Sequence, residues 1–145
     1  MQRSGRSSMS PDEIAAVFID CGYREVPNAW ASRNRIARND KRKARCFQSP
    51  TTGRFLYLKV PPEDHATPMV WPIVISPDDC DVARSSASTK IQFRSEFTFG
   101  SMFARFSKSR KGGTRDEHFG LPLTTDDPTA LREFLTAFDR SSRAA

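Results

Sequence analysis

Long apolar runs are missing from this 145-residue sequence; the longest, Ile14–Ile19, spans six residues. That is far short of the roughly 20 residues that a bilayer-crossing helix needs, so no membrane span is expected. Met1–Ser10 is polar and no seven-residue apolar run follows it, so the sequence predicts no secretory signal and a cytoplasmic location. Histidine is nearly absent, at two residues, and the three cysteines, Cys21, Cys46 and Cys80, are widely spaced and odd in number. A disulfide framework and a zinc knuckle are both excluded by that spacing, and three reduced, mostly buried thiols are expected.

Signatures of cofactor and nucleophile chemistry are missing as well. The G-x-x-x-x-G-K-[ST] spacing of a nucleotide-triphosphate loop does not occur, and neither does a nucleophile elbow. No nucleotide cofactor and no metal is therefore expected, and no particular reaction is indicated. Homeodomain, zinc-finger, basic-zipper and RNP signatures are absent too.

Hydrophobic residues make up 37% of the chain and charged residues 28%, and phenylalanine supplies 11 of the 15 aromatics. This suffices for one modest core, and such Phe content argues against wholesale disorder. Two amphipathic helices stand out. Ser10-Pro11-Asp12-Glu13 has the form of a capping box; Ile14, Val17, Phe18 and Cys21 then share one face, and Gly22 supplies a stop. Near the other end Asp127-Pro128 caps a helix with Leu131, Phe134, Leu135 and Phe138 on one stripe.

Between them the sequence predicts strands at Tyr23–Val26, Arg45–Gln48, Arg54–Val60, Val70–Ile75, Ile91–Phe99 and His118–Thr124. Pro72 suggests an edge or a bulge for the fourth. Short helices are expected from Pro77 to about Arg84 and over Ser101–Ser107. The fold class is α+β, a single small domain with a largely antiparallel sheet and the N- and C-terminal helices packed on one face. The expected organisation is a disordered tail over 1–9 and one domain over 10–140. That domain includes a basic loop at 28–44 and a basic Gly-Gly loop at 107–116, and a frayed end follows at 141–145.

Charge carries the functional information. Arg33, Arg35, Arg38, Lys41, Arg42, Lys43 and Arg45, opposed only by Asp40, give one segment a charge of +6. Arg105, Lys108, Arg110, Lys111 and Arg115, with no acid among them, give a second segment +5. These two segments hold the entire positive excess of a chain whose net charge is +6. Clustering of this kind suits a polyanionic partner, although a solvated basic surface would show it too. Gly112 and Gly113, with Ser109 and Thr114, add close backbone approach and hydroxyl donors, which are useful for gripping phosphate oxygens. Trp30 and Phe47 flank the first segment, and either ring suits base stacking or a core position.

The expectation is a non-enzymatic nucleic-acid-binding module that grips the phosphate backbone of DNA or RNA through those twelve cations, with weak sequence specificity. Docking on an acidic protein surface is the first alternative. A divalent-metal nuclease using Glu63, Asp64, His65, Asp78, Asp79 and Asp81, with Lys59 or Lys90 as a strand lysine, is the second. In that second case, acids after Pro77 also serve plainly as helix-start residues.

Overall fold

A computed structural model describes residues 9–27, 44–60, 69–109 and 117–140. Helix α1 (Pro11–Asp20) opens with the capping box that its sequence prescribes: Ser10 Oγ accepts the Glu13 N–H, and Glu13 Oε1 accepts the Ser10 N–H. Met9, expected in the tail, instead belongs to the core at 4% exposure. It precedes the cap and shares the core with Ile14 on the fourth helical residue, the arrangement of a hydrophobic staple. Gly22 ends the helix at φ 95°, a left-handed conformation that glycine adopts without a Cβ clash.

The strands are β1 (Arg24–Val26), β2 (Ala44–Gln48), β3 (Phe55–Lys59), β4 (Ile73–Ile75), β5 (Gln92–Phe93), β6 (Thr98–Phe99), β7 (Lys108–Ser109) and β8 (Glu117–Thr124). All described pairings are antiparallel, in the order β1-β2-β3-β4-β8-β5, and β6 and β7 also pair with β8. A 3-10 turn (Pro77–Asp79) leads into α2 (Cys80–Ser86), a second covers Ser101–Phe103, and α3 (Pro128–Arg140) closes the fold. Asp127 caps α3 through Oδ1, which accepts N–H groups from Thr129 at 2.9 Å and Ala130 at 3.3 Å. The chain is thus an α+β domain, and none of its described helices is long and apolar enough to cross a membrane.

Alternation along the strands assigns two faces. Phe47, Leu56, Leu58, Ile73, Ile75, Leu121 and Leu123 pack with Phe18 of α1, Ala83 of α2 and Phe134 and Phe138 of α3, forming the main core. The reverse face carries a smaller cluster of Ala44, Cys46, Tyr57, Val74, Phe103 and Phe106. Gly120 makes that second cluster possible. A Cβ there would lie 2.6 Å from both the Ile75 carbonyl oxygen and Val74 Cγ1, and 3.0 Å from the Phe106 ring.

Proline accounts for two departures from the sequence reading. The strand expected over Val70–Ile75 is only Ile73–Ile75 and is central rather than at an edge. Pro72 stands just ahead of it, and its carbonyl accepts the Lys59 N–H at 2.8 Å. The strand expected over Ile91–Phe99 is split into β5 and β6, both on β8. Between the paired residues Phe93 and Thr98 lie more residues than between their partners Leu123 and Gly120, so the edge bulges at Ser95 and Glu96. Pro122 has no N–H to offer there, and its carbonyl accepts the Arg94 N–H at 2.9 Å.

Two expected loops also change at their ends. Ala44 opens β2, and Lys108 and Ser109 form β7. The remainder of the 28–44 loop, the 110–116 part of the Gly-Gly loop, the 1–8 part of the tail and the 141–145 end lie outside the described residues.

Candidate nucleic-acid interface

Sheet alternation sorts charge by face. Among the described strand residues the carboxylates are Glu25 and Glu117, and both fall on the helix-covered side. Glu25 pairs in register with core residue Phe47, and Glu117 lies two residues from Phe119 on the same alternation as Leu121. Of the described strand cations, Arg24, Lys59 and Lys108 fall on the reverse side and Arg45 alone on the helix side. Arg24 alternates with Val26, Lys59 with Tyr57, and Lys108 pairs with His118. Arg94 follows β5 on the reverse-face alternation.

Of the twelve predicted cations, Arg45, Arg105 and Lys108 are described; Arg33, Arg35, Arg38, Lys41, Arg42, Lys43, Arg110, Lys111 and Arg115 lie outside the described residues. Arg45 turns toward the helix side. Its Nε and Nη2 donate to the two carboxylate oxygens of Glu25 at 2.9 and 2.8 Å, and Nη1 lies 3.5 Å from Asp12 of α1. This forked pair raises the Arg45 pKa further and occupies the half-buried guanidinium within the chain.

Arg105 has the opposite placement. It is exposed, its guanidinium carbon stands 4.6 Å above the Phe55 ring, and Nη2 donates to the Pro27 carbonyl at 2.8 Å. Pro27 is the last described residue before the first basic segment, and Ala44 at that segment's far end packs with Phe103 and Phe106. The backbone N–H of Arg105 donates to Tyr57 Oη at 3.2 Å, and the Tyr57 ring meets Phe103 and Phe106 edge-on. Two segments far apart in sequence are therefore brought to the same side of the sheet at their described ends. Lys108 is exposed beside His118, whose Nδ1 contacts the Phe106 carbonyl at 2.7 Å.

Phe47 takes the core position and not a stacking one: it is fully buried and edge-on to Phe18 at 5.1 Å. Trp30 lies outside the described residues. So do Glu63, Asp64 and His65 of the nuclease alternative. Asp79 forms a buried ion pair with Arg54, at 3.4 Å between Oδ1 and Nε, while Asp78 Oδ2 accepts from Ser107 Oγ at 3.0 Å. Among the described residues no group of three potential metal ligands comes together. The cysteines are unpaired; Cys46 is buried on the reverse face, and desolvation pushes its thiol up to about 12.

Arg24 and Arg94 were missed by sequence reasoning, because each stands beside an acid or among uncharged neighbours, and Lys59 was considered only as a strand lysine for the nuclease alternative. The alternation of β3 signals only that Lys59 opposes Leu58. Which side the helices leave open follows from the packing. Comparisons with protein-family models, curated proteins and solved structures give no match for this chain.

Proposed function

We propose that this protein is a nucleic-acid-binding module that grips the phosphate backbone with the reverse face of its sheet. The observation that supports it is the sorting of charge: Arg24, Lys59 and Lys108 lie on the reverse alternation of the sheet, and Glu25 and Glu117, with Arg45, lie on the other. An excess of positive charge over a low-dielectric sheet concentrates field and attracts a polyanion. Exposed Arg105 and Lys108 begin the second basic segment, and the tie from Arg105 to Pro27 brings that segment to the root of the first. The cations at 33–43 and 110–115 extend the grip, and Arg45 anchors its segment to β1 and α1. Contacts of this kind fix position on the backbone and carry little sequence information.

Binding of fluorescent single- and double-stranded DNA and RNA, measured by anisotropy at low salt, tests this reading. The Lys108→Ala/Arg110→Ala/Lys111→Ala variant should lose at least about tenfold in affinity without a fall in melting temperature. Absence of binding by the parent protein to all four probes contradicts the proposal and directs attention to an acidic protein surface. Unchanged binding by the folded triple variant contradicts the assignment to this loop.

A further inference from the structure

One row of residues crosses the reverse face: Ala44, Lys59, Pro72, Thr124 and Gln92. Its register is set by the Ala44–Lys59 and Gln92–Thr124 pairs, the Lys59-to-Pro72 hydrogen bond and the Ile73–Leu123 pair. Lys59 and Thr124 lie two strands apart, roughly 10 Å between Cα atoms, so a lysine side chain spans much of the gap. Arg94 is two residues beyond Gln92 on the same alternation.

Three features of this row are unexplained by packing. Lys59 is half-buried and has no hydrogen bond or ion pair from its ammonium group among the described residues, although burial and the Arg94 charge both disfavour its proton. Among the described residues Arg94 has one ion pair, with the exposed Glu96 at 3.7 Å. Thr124, at 3% exposure, has a buried Oγ1 with no hydrogen-bond partner. Native proteins rarely leave a buried hydroxyl unsatisfied, and two cations on one face of a sheet favour an anion near them. Backbone strain borders the same row, because Trp71 next to Pro72 has φ 50°, a conformation that bulky residues seldom adopt.

We infer that Lys59, Arg94 and Thr124, with Gln92 beside them, form a binding site for a phosphate group on the reverse face. The ammonium and guanidinium groups supply charge, and the threonine hydroxyl donates to a phosphate oxygen that enters between them. Such an oxygen satisfies the orphan hydroxyl and offers both cations a negative partner. The source of the phosphate, a nucleic-acid strand, rests on the function proposed above; the site itself does not.

Two measurements on the full-length protein separate these points. In a proton–nitrogen correlation titration, inorganic phosphate should shift the backbone amides of Lys59, Gln92, Arg94 and Thr124, whereas chloride at matched ionic strength should not. In oligonucleotide binding, Lys59→Gln and Arg94→Gln should each weaken affinity about tenfold and reduce the salt slope by about 1. Thr124→Val should lower the phosphate response while melting no earlier than the parent, because it removes an unsatisfied hydroxyl and conserves shape.

Phosphate shifts at these amides without oligonucleotide binding support the site, assign it a small phosphate ligand and overturn the nucleic-acid reading. Oligonucleotide binding that is unchanged in both folded charge variants, with no phosphate shifts, overturns the site and leaves the nucleic-acid reading standing.

Discussion

Arg54 ties three parts of the fold together through one buried side chain. Its side chain is 1% exposed, Nη1 donates to the Phe138 carbonyl at 2.7 Å, and the guanidinium carbon lies 4.9 Å over the Phe138 ring. Together with Asp79 it joins the start of β3, the turn before α2 and the last turns of α3. Arg54→Ala leaves the buried Asp79 carboxylate without this partner, so a loss of about 3–5 kcal/mol is expected in urea unfolding. Buried acids on the other side of the sheet give a pH signature. Desolvation raises both Cys46, to about 12, and Tyr57, so the folded chain keeps protons that the unfolded chain releases. Groups with raised folded values stabilise fully below their unfolded values, and that stability is lost as pH rises. The urea midpoint should therefore hold steady near neutrality and fall as pH increases from about 9 toward 12; a midpoint unchanged across this window would contradict the burial of these groups.

At the scale of elements, local signals and tertiary packing contributed unequally. Ser10→Ala removes the α1 cap and should cost about 1 kcal/mol by denaturant unfolding, as expected for a residue that acts locally. Gly120→Ala forces a Cβ against the Ile75 carbonyl and Val74, and a loss of about 1–3 kcal/mol or more is expected, with Phe106 displaced from the reverse face. The α1 and α3 helices were legible because capping and a period of 3.6 residues are written in adjacent positions. The break between β5 and β6 was not, because its cause is Pro122 on another strand. Likewise the central position of β4 depends on pairings with β3 and β8 rather than on its own three residues.

At the scale of the molecule, the sheet separates two environments. Helices α1, α2 and α3 cover one side and share its main core. Beneath the other side lies a smaller aromatic cluster, with Arg105 and Lys108 exposed beyond it. The two basic segments were legible as composition. Their relation through Arg105 and Pro27, and the addition of Arg24, Lys59 and Arg94, emerged only from strand register. Arg45 shows the converse: sequence groups it with its neighbours, and the register of β2 turns it to Glu25. Charge sorted in this way is the basis of the proposed backbone grip. Its most direct test is the dependence of oligonucleotide affinity on salt. The account predicts a straight line of log affinity against log salt concentration, with a slope that corresponds to several displaced counterions and that flattens when Lys108, Arg110 and Lys111 are removed. A slope near zero, or one unaffected by that triple substitution in a folded protein, would contradict it.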